Sequence, residues 1–160
     1  SFSGIPVFGS YTDQAAQKAV ASLFIEKFAA VAGPDKELLL LFEGDPQFLA
    51  PADRAKVDYF VLDTKETDNA TDLKLQVLRA LSAGAIPCNK LLLGAKTEYE
   101  FTDEDKGAAD AISALTIRTP EIGSQPLAGL CIYSVNADYF GAEFIYPLTR
   151  QAIQTLNPSK

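Results

Sequence analysis

The chain has 160 residues, 48 % of them apolar, a formal net charge of −7 and no histidine. That length and apolar content suit one folded domain with a core and argue against a disordered chain. The acidic balance without a basic stripe disfavours nucleic acid and anionic membranes as partners, no apolar run is long enough to span a bilayer, and the missing histidine excludes Ser-His-Asp and Cys-His catalysis and histidine-based zinc sites.

Residues 12–32 read as a helix with Thr12 as N-cap and Ala16, Val20, Leu23, Phe24, Phe28 and Val31 on one face. Gly33-Pro34 is expected to end it. The continuous apolar run Leu38–Phe42 then predicts a strand over 37–43, of the kind buried on both faces of a parallel sheet. Pro51 suits the first position of a helical turn over 50–55. A second strand is expected over 57–63. A helix over 71–83 follows, with Leu73, Val77 and Leu81 on one face and Gly84 as its cap. A third strand is expected over 90–95, then an acidic stretch and a helix from Asp103 through Leu115. The fourth strand is expected over 128–135, followed by polar Asn-Ala-Asp-Tyr. The last helix spans 146–156, with Pro147 in its first turn and extended backbone before that proline.

Strands and helices thus alternate, which predicts an α/β fold of parallel β/α units with right-handed crossovers. Two architectures fit: a small open doubly wound sheet, or about four strands of an eight-stranded β/α barrel, whose full size is about 250 residues. Residues 1–160 are accordingly a single domain or part of one. In either case ligands bind beyond the carboxyl ends of the strands. Those ends carry Glu43, Asp63, Thr64, Lys96, Tyr133 and Asn136, the candidate binding residues. Glu43 and Asp45 before Pro46 also suit a plain turn, Asp63 a backbone cap, and Tyr133 ordinary packing. Cys88 and Cys131 border apolar runs and read as small buried hydrophobes. No metal-ligand cluster and no cofactor motif is present, and no catalytic residue is assigned.

Four stretches resemble, in order, the carboxyl-terminal half of a glycoside hydrolase family 18 barrel, with chitinase-like and endo-β-N-acetylglucosaminidase-like proteins of Bacteroidetes as relatives. LLLLFEGDPQFL resembles the fifth barrel strand and its acidic turn, and KVDYFVLDT the sixth strand. AGAIPCNKLLLGA resembles the Ile-Pro turn and seventh strand, and GLCIYSVNADY with YPLTRQAIQTLNP the eighth strand and closing helix.

The resemblance implies a (β/α)8 barrel and hydrolysis or recognition of β-1,4-linked N-acetylglucosamine glycans. It implies an oligosaccharide or glycoprotein glycan as partner, and the amino-terminal half of the same barrel, or self-association, as cover for the open sheet. A periplasmic, cell-surface or secreted location is the corresponding expectation. The family's catalytic Asp-x-x-Asp-x-Asp-x-Glu stretch, which ends the fourth strand, has no counterpart among these residues. Its final Glu protonates the glycosidic oxygen in a substrate-assisted mechanism, an exception to the usual two-carboxylate scheme. The amide and tyrosine usual at the end of the sixth strand are replaced by Asp63, Thr64 and Lys65. The eighth-strand tryptophan is absent, and Tyr133 or Tyr139 offers a stacking face in its place. The resemblance therefore implies a noncatalytic portion that contacts sugar, or a noncatalytic glycan-binding relative. An independent α/β interaction module is the alternative from a different class.

Overall fold

The computed structural model describes residues 14–64, 67, 70–96, 126–133, 135–140 and 146–157. Four strands, β1 (Leu41–Glu43), β2 (Tyr59–Leu62), β3 (Leu91–Lys96) and β4 (Gly129–Tyr133), pair in parallel in the order β1-β2-β3-β4. The helices are α1 (Gln14–Phe28), the short α2 (Pro51–Arg54), α3 (Ala70–Gly84), α4 (Val135–Phe140) and α5 (Pro147–Leu156). The expected layout of four neighbouring parallel strands in an α/β fold is the one observed. The expected helix over 103–115 lies outside the described residues.

Sequential order has a consequence for the two faces of the sheet. A doubly wound sheet needs a point where the strand order reverses, so that helices cover both faces. These four strands have no reversal. Side chains alternate along a strand, and Leu40, Phe42, Phe60, Leu91, Leu93, Ala95 and Leu130 belong to one core cluster with Ala21 and Ile25 of α1 and Leu73, Val77 and Leu81 of α3. Leu148 of α5 packs against the same cluster. The second face carries Leu41, Tyr59, Val61, Leu92 and Cys131. Of these, Val61 is buried without belonging to the helix-side cluster. The described helices that join the core therefore share one side of these four strands.

Several local expectations change. The face of α1 that packs is Ala21, Ile25 and Phe28, while Val20, Leu23, Phe24 and Val31 are exposed. Apolar and polar residues are both spread round the helix, so periodicity alone does not select its inner face. It stops at Phe28 rather than at Gly33 because Ala32 bridges Leu38 and the Gly33 N–H donates to the Leu38 carbonyl at 2.8 Å. Strand β1 is correspondingly short, and Leu38 and Leu39 are 60 % and 63 % exposed, not buried on both faces. At the end of α3 the left-handed residue is Ala85 (φ 48°), while Gly84 is buried where a Cβ would meet Pro46 at 2.9 Å. Tyr146 is left-handed (φ 53°, ψ 53°) rather than extended. The polar stretch after β4 folds into α4, which the sequence reading did not include. From it the fully buried Asp138 accepts hydrogen bonds from Leu148 N (3.1 Å), Thr149 N (2.8 Å) and Thr149 Oγ1 (2.6 Å). Asp138 thus caps α5, whose own N-cap position offers no side-chain bond. Cys88 is buried as expected, whereas Cys131 is half-buried on the second face.

Pro51 opens α2 as expected, and α2 supplies two anchors. Arg54 donates from Nε to the carbonyls of Pro46 (3.0 Å) and Leu49 (2.9 Å), and from its terminal nitrogen to that of Gly84. It ties the turn after β1 to the end of α3. Asp53 accepts from Ser22 Oγ of α1 at 2.6 Å and pairs with Lys56 Nζ at 2.8 Å. Burial alone would raise the Asp53 pKa, but the Lys56 and Ser22 donors outweigh it and hold the carboxyl below its ordinary value. The Lys56 ammonium is well exposed, so solvent screens that arm to about 1 kcal/mol or less. A carboxyl with a lowered folded pKa stabilises the fold above its unfolded pKa, and that contribution fades as pH falls through the folded value. Urea midpoints measured from pH 7 down to pH 3 should therefore drop below about pH 4, and Asp53→Asn should flatten that part of the profile while lowering the midpoint at pH 7.

Candidate functional site

Parallel strands place their carboxyl ends together, and the alternation of side chains decides which residues share a face there. Register pairs Glu43 with Val61, Leu92 with Gly129, Gly94 with Cys131 and Lys96 with Tyr133. Glu43, Asp63, Gly94, Lys96 and Tyr133 thus belong to the second face, at its carboxyl end, opposite the helix-side core. Adjacent strands are about 4.8 Å apart, so β1 and β4 would stand about 14 Å apart in a flat sheet. Nevertheless the Tyr133 hydroxyl of β4 hydrogen-bonds with the Glu43 side chain of β1. Such a meeting across three strand spacings suits a sheet that curls toward this face, as strands of a barrel do.

Gly94 makes that reach possible. A Cβ at this position would lie 3.0 Å from Tyr133 Cε2, 3.0 Å from the Leu62 carbonyl oxygen and 3.7 Å from the Asp63 Cα. Contacts at 3.0 Å are tighter than real Cβ contacts normally are, so a side chain would push the ring away. The phenol lies instead across β3 toward Asp63 and Glu43. Burial pushes the Tyr133 hydroxyl far above the usual phenol range, and the Glu43 bond and electrostatic repulsion from the Cys131, Glu43 and Asp63 side chains add to it. Tyr133 therefore stays neutral and donates. Asp63 is exposed beside it.

Thr64 changes role. It is 1 % exposed, and its hydroxyl donates to the Gly94 carbonyl. Thr64 therefore faces the helix side and fastens the end of β2 to β3 instead of lining the rim, because alternation turns it away from Asp63. Asp45 takes the turn reading: its carboxylate accepts from Gln47 N at 2.8 Å and Gln47 Nε2 at 3.1 Å. Lys96 ends β3 and Asn136 lies in α4 just past β4, so their backbones stand at the same end of the sheet. Their side chains lie outside the described ones. Tyr139 of α4 is exposed and packs against Tyr146 with ring centroids 5.2 Å apart.

The residue that the strand-end pattern overlooks is Gly94. A lone glycine inside the apolar run LLLGA carries that signal, since glycine within a strand marks close approach by another group. A separate cleft of about 260 Å³, lined by Arg54, Phe60, Ile86, Pro87 and Lys90 among others, lies at the opposite, amino-terminal end of β2 and β3. There Arg54 and Lys90 donate to backbone carbonyls and serve the fold. The carboxyl-end group combines convergent polar side chains with a phenol held above its ordinary pKa, features by which candidate sites are chosen. Among the described residues no cluster of three or more His, Cys, Asp or Glu could hold a metal ion, and no helix is long and apolar enough to cross a membrane.

No family model and no curated protein matches the chain. Among solved structures it is similar to BT1044 of Bacteroides, solved as a selenomethionine-labelled glutamate-to-glutamine variant, with a TM-score of 0.62 and 17 % identity. The match covers 85 % of this chain and 44 % of that one, so the chain spans less than half of its structural neighbour. At that identity the likeness shows the fold, an α/β arrangement of four parallel strands with flanking helices.

Replacing Thr64 by Val keeps its shape and removes the hydroxyl donor to Gly94. Urea unfolding should show a loss of about 1–2 kcal/mol, the range for a buried hydrogen bond left half-made.

Proposed function

We propose that this chain is the carboxyl-terminal portion of a family 18-like β/α barrel and that the second face, at its carboxyl end, contacts β-1,4-linked N-acetylglucosamine glycans. The observation that carries this reading is the convergence of Glu43, Asp63 and Tyr133 over Gly94 at the carboxyl end of four parallel strands in chain order. Active sites of β/α barrels lie at that end. Carboxylates accept hydrogen bonds from sugar hydroxyls and from the amide N–H of an N-acetyl group. A tyrosine ring offers an apolar surface to the C–H face of a sugar. The order of the four family-like stretches supports the same reading, as does a structural neighbour more than twice as long as the matched region.

In this proposal the rest of the barrel supplies the general acid, and Glu43, Asp63, Lys96, Tyr133 and Asn136 hold the sugar. The amino-terminal half of the barrel, or a second copy, covers the second face. A periplasmic, cell-surface or secreted location belongs to the same proposal.

Calorimetry with chitotriose on the 160-residue chain tests the binding reading. Heat of binding is expected at millimolar ligand, with affinity at least fivefold weaker in Asp63→Asn, and no heat would contradict the proposal. A fluorogenic chitobiose substrate tests the division of labour. The chain alone should give no turnover above a blank, and turnover abolished by Glu43→Gln would place the acid within this chain and overturn the assignment.

A further inference from the structure

Glutamate is a long side chain with three rotatable bonds, and fixing it costs conformational freedom whenever it must bind in one orientation. Tyrosine has two, and is more rigid. In this sheet the rigid partner comes from the far edge: Tyr133 of β4 crosses β3 at Gly94 and bonds to Glu43 of β1. A carboxylate has about four acceptor sites, so one phenol proton does not exhaust it. We propose that Tyr133 is a positioning residue, its hydroxyl fixing the Glu43 carboxylate in the orientation that accepts hydrogen bonds from a glycan at the rim, with Gly94 as the gap that lets it reach. The glycan part of this assignment rests on the proposed function, whereas the Tyr133–Glu43 coupling does not.

The groups facing the phenol are Glu43 from β1, Asp63 from the end of β2 and Cys131 from β4. Lys96 of β3 stands at the register position opposite. Of these, Glu43 alone contributes both a hydrogen bond and a charge to Tyr133. Its removal should therefore move the phenol's titration more than removal of Asp63 does. Placing a side chain at Gly94 should move it in the same direction by displacing the ring from Glu43.

The test uses the full 160-residue chain with tyrosines carbon-13-labelled at Cζ, and Tyr133→Phe to assign the Tyr133 signal. In the wild type that signal should remain in its protonated position above about pH 10, where a model-peptide tyrosine titrates. In Glu43→Gln it should begin to titrate at lower pH, and by a smaller margin in Asp63→Asn. An unchanged Tyr133 titration in Glu43→Gln would overturn the coupling. Chitotriose calorimetry then tests positioning: Tyr133→Phe should bind about two- to tenfold more weakly, the cost of ordering one flexible side chain at binding. The double variant should bind no more weakly than Glu43→Gln alone. Independent, additive losses would show that Tyr133 touches the sugar without acting through Glu43, and overturn the role. If the wild type binds no chitotriose, the glycan reading and the positioning role fail together, while the titration still decides whether the Tyr133–Glu43 contact exists.

Discussion

Parallel pairing in chain order is the constraint on which the rest of this structure depends. Crossovers between neighbouring parallel strands favour one hand, and the described helices that join the core share one side of the order β1-β2-β3-β4. That side receives the large apolar residues, Phe60, Leu91 and Leu93 against Leu73, Val77 and Leu81. Burying each such side chain is worth about 1.5–3 kcal/mol, and truncating Phe60 would forfeit about 3–5 kcal/mol. The other side is left for Leu41, Tyr59, Val61, Leu92 and Cys131, and for the polar group that ends the strands.

The same constraint produces the site. Alternation along each strand sends Phe42 and Glu43 to opposite faces, and Asp63 and Thr64 likewise. A one-residue slip would exchange a rim carboxylate for a buried threonine. The helix side is secured by Thr64 to Gly94, Arg54 to Gly84 and Asp138 to the start of α5. Those bonds hold the strand ends from the side opposite Glu43, Asp63 and Tyr133. The phenol of Tyr133 reaches across the sheet where Gly94 has no side chain, a reach that suits a curled sheet. Curvature, glycine and tyrosine are therefore one device.

The architecture was legible in the sequence because buried strands and amphipathic helices leave different periods. LLLLF, YFVL, LLLGA and GLCIY are continuous runs without a charge, and Leu73, Val77 and Leu81 recur at helical spacing. The ends of elements were less legible. Leu38 and Leu39 look like strand core but lie exposed, because the Ala32–Leu38 bridge and the Gly33–Leu38 bond settle the chain before the sheet begins. Helix α1 spreads its apolar residues over too many sides for its sequence to announce which side packs. Helix α4 was hidden because its order depends on Asp138 reaching ten residues ahead to α5, a tertiary cap without a local signature. At the rim, Glu43, Asp63 and Tyr133 were legible as strand ends. Their meeting was not, because it depends on the curl of the sheet and on what is missing at Gly94.

Crystals of the chain grown with chitotriose test most directly the proposal that the second face, at its carboxyl end, meets sugar. Sugar density is expected over Tyr133, with hydroxyl or amide groups within hydrogen-bonding distance of Glu43 or Asp63. Density confined to the cleft beside Arg54 and Lys90 or to the helix side, or none at millimolar sugar, would contradict it.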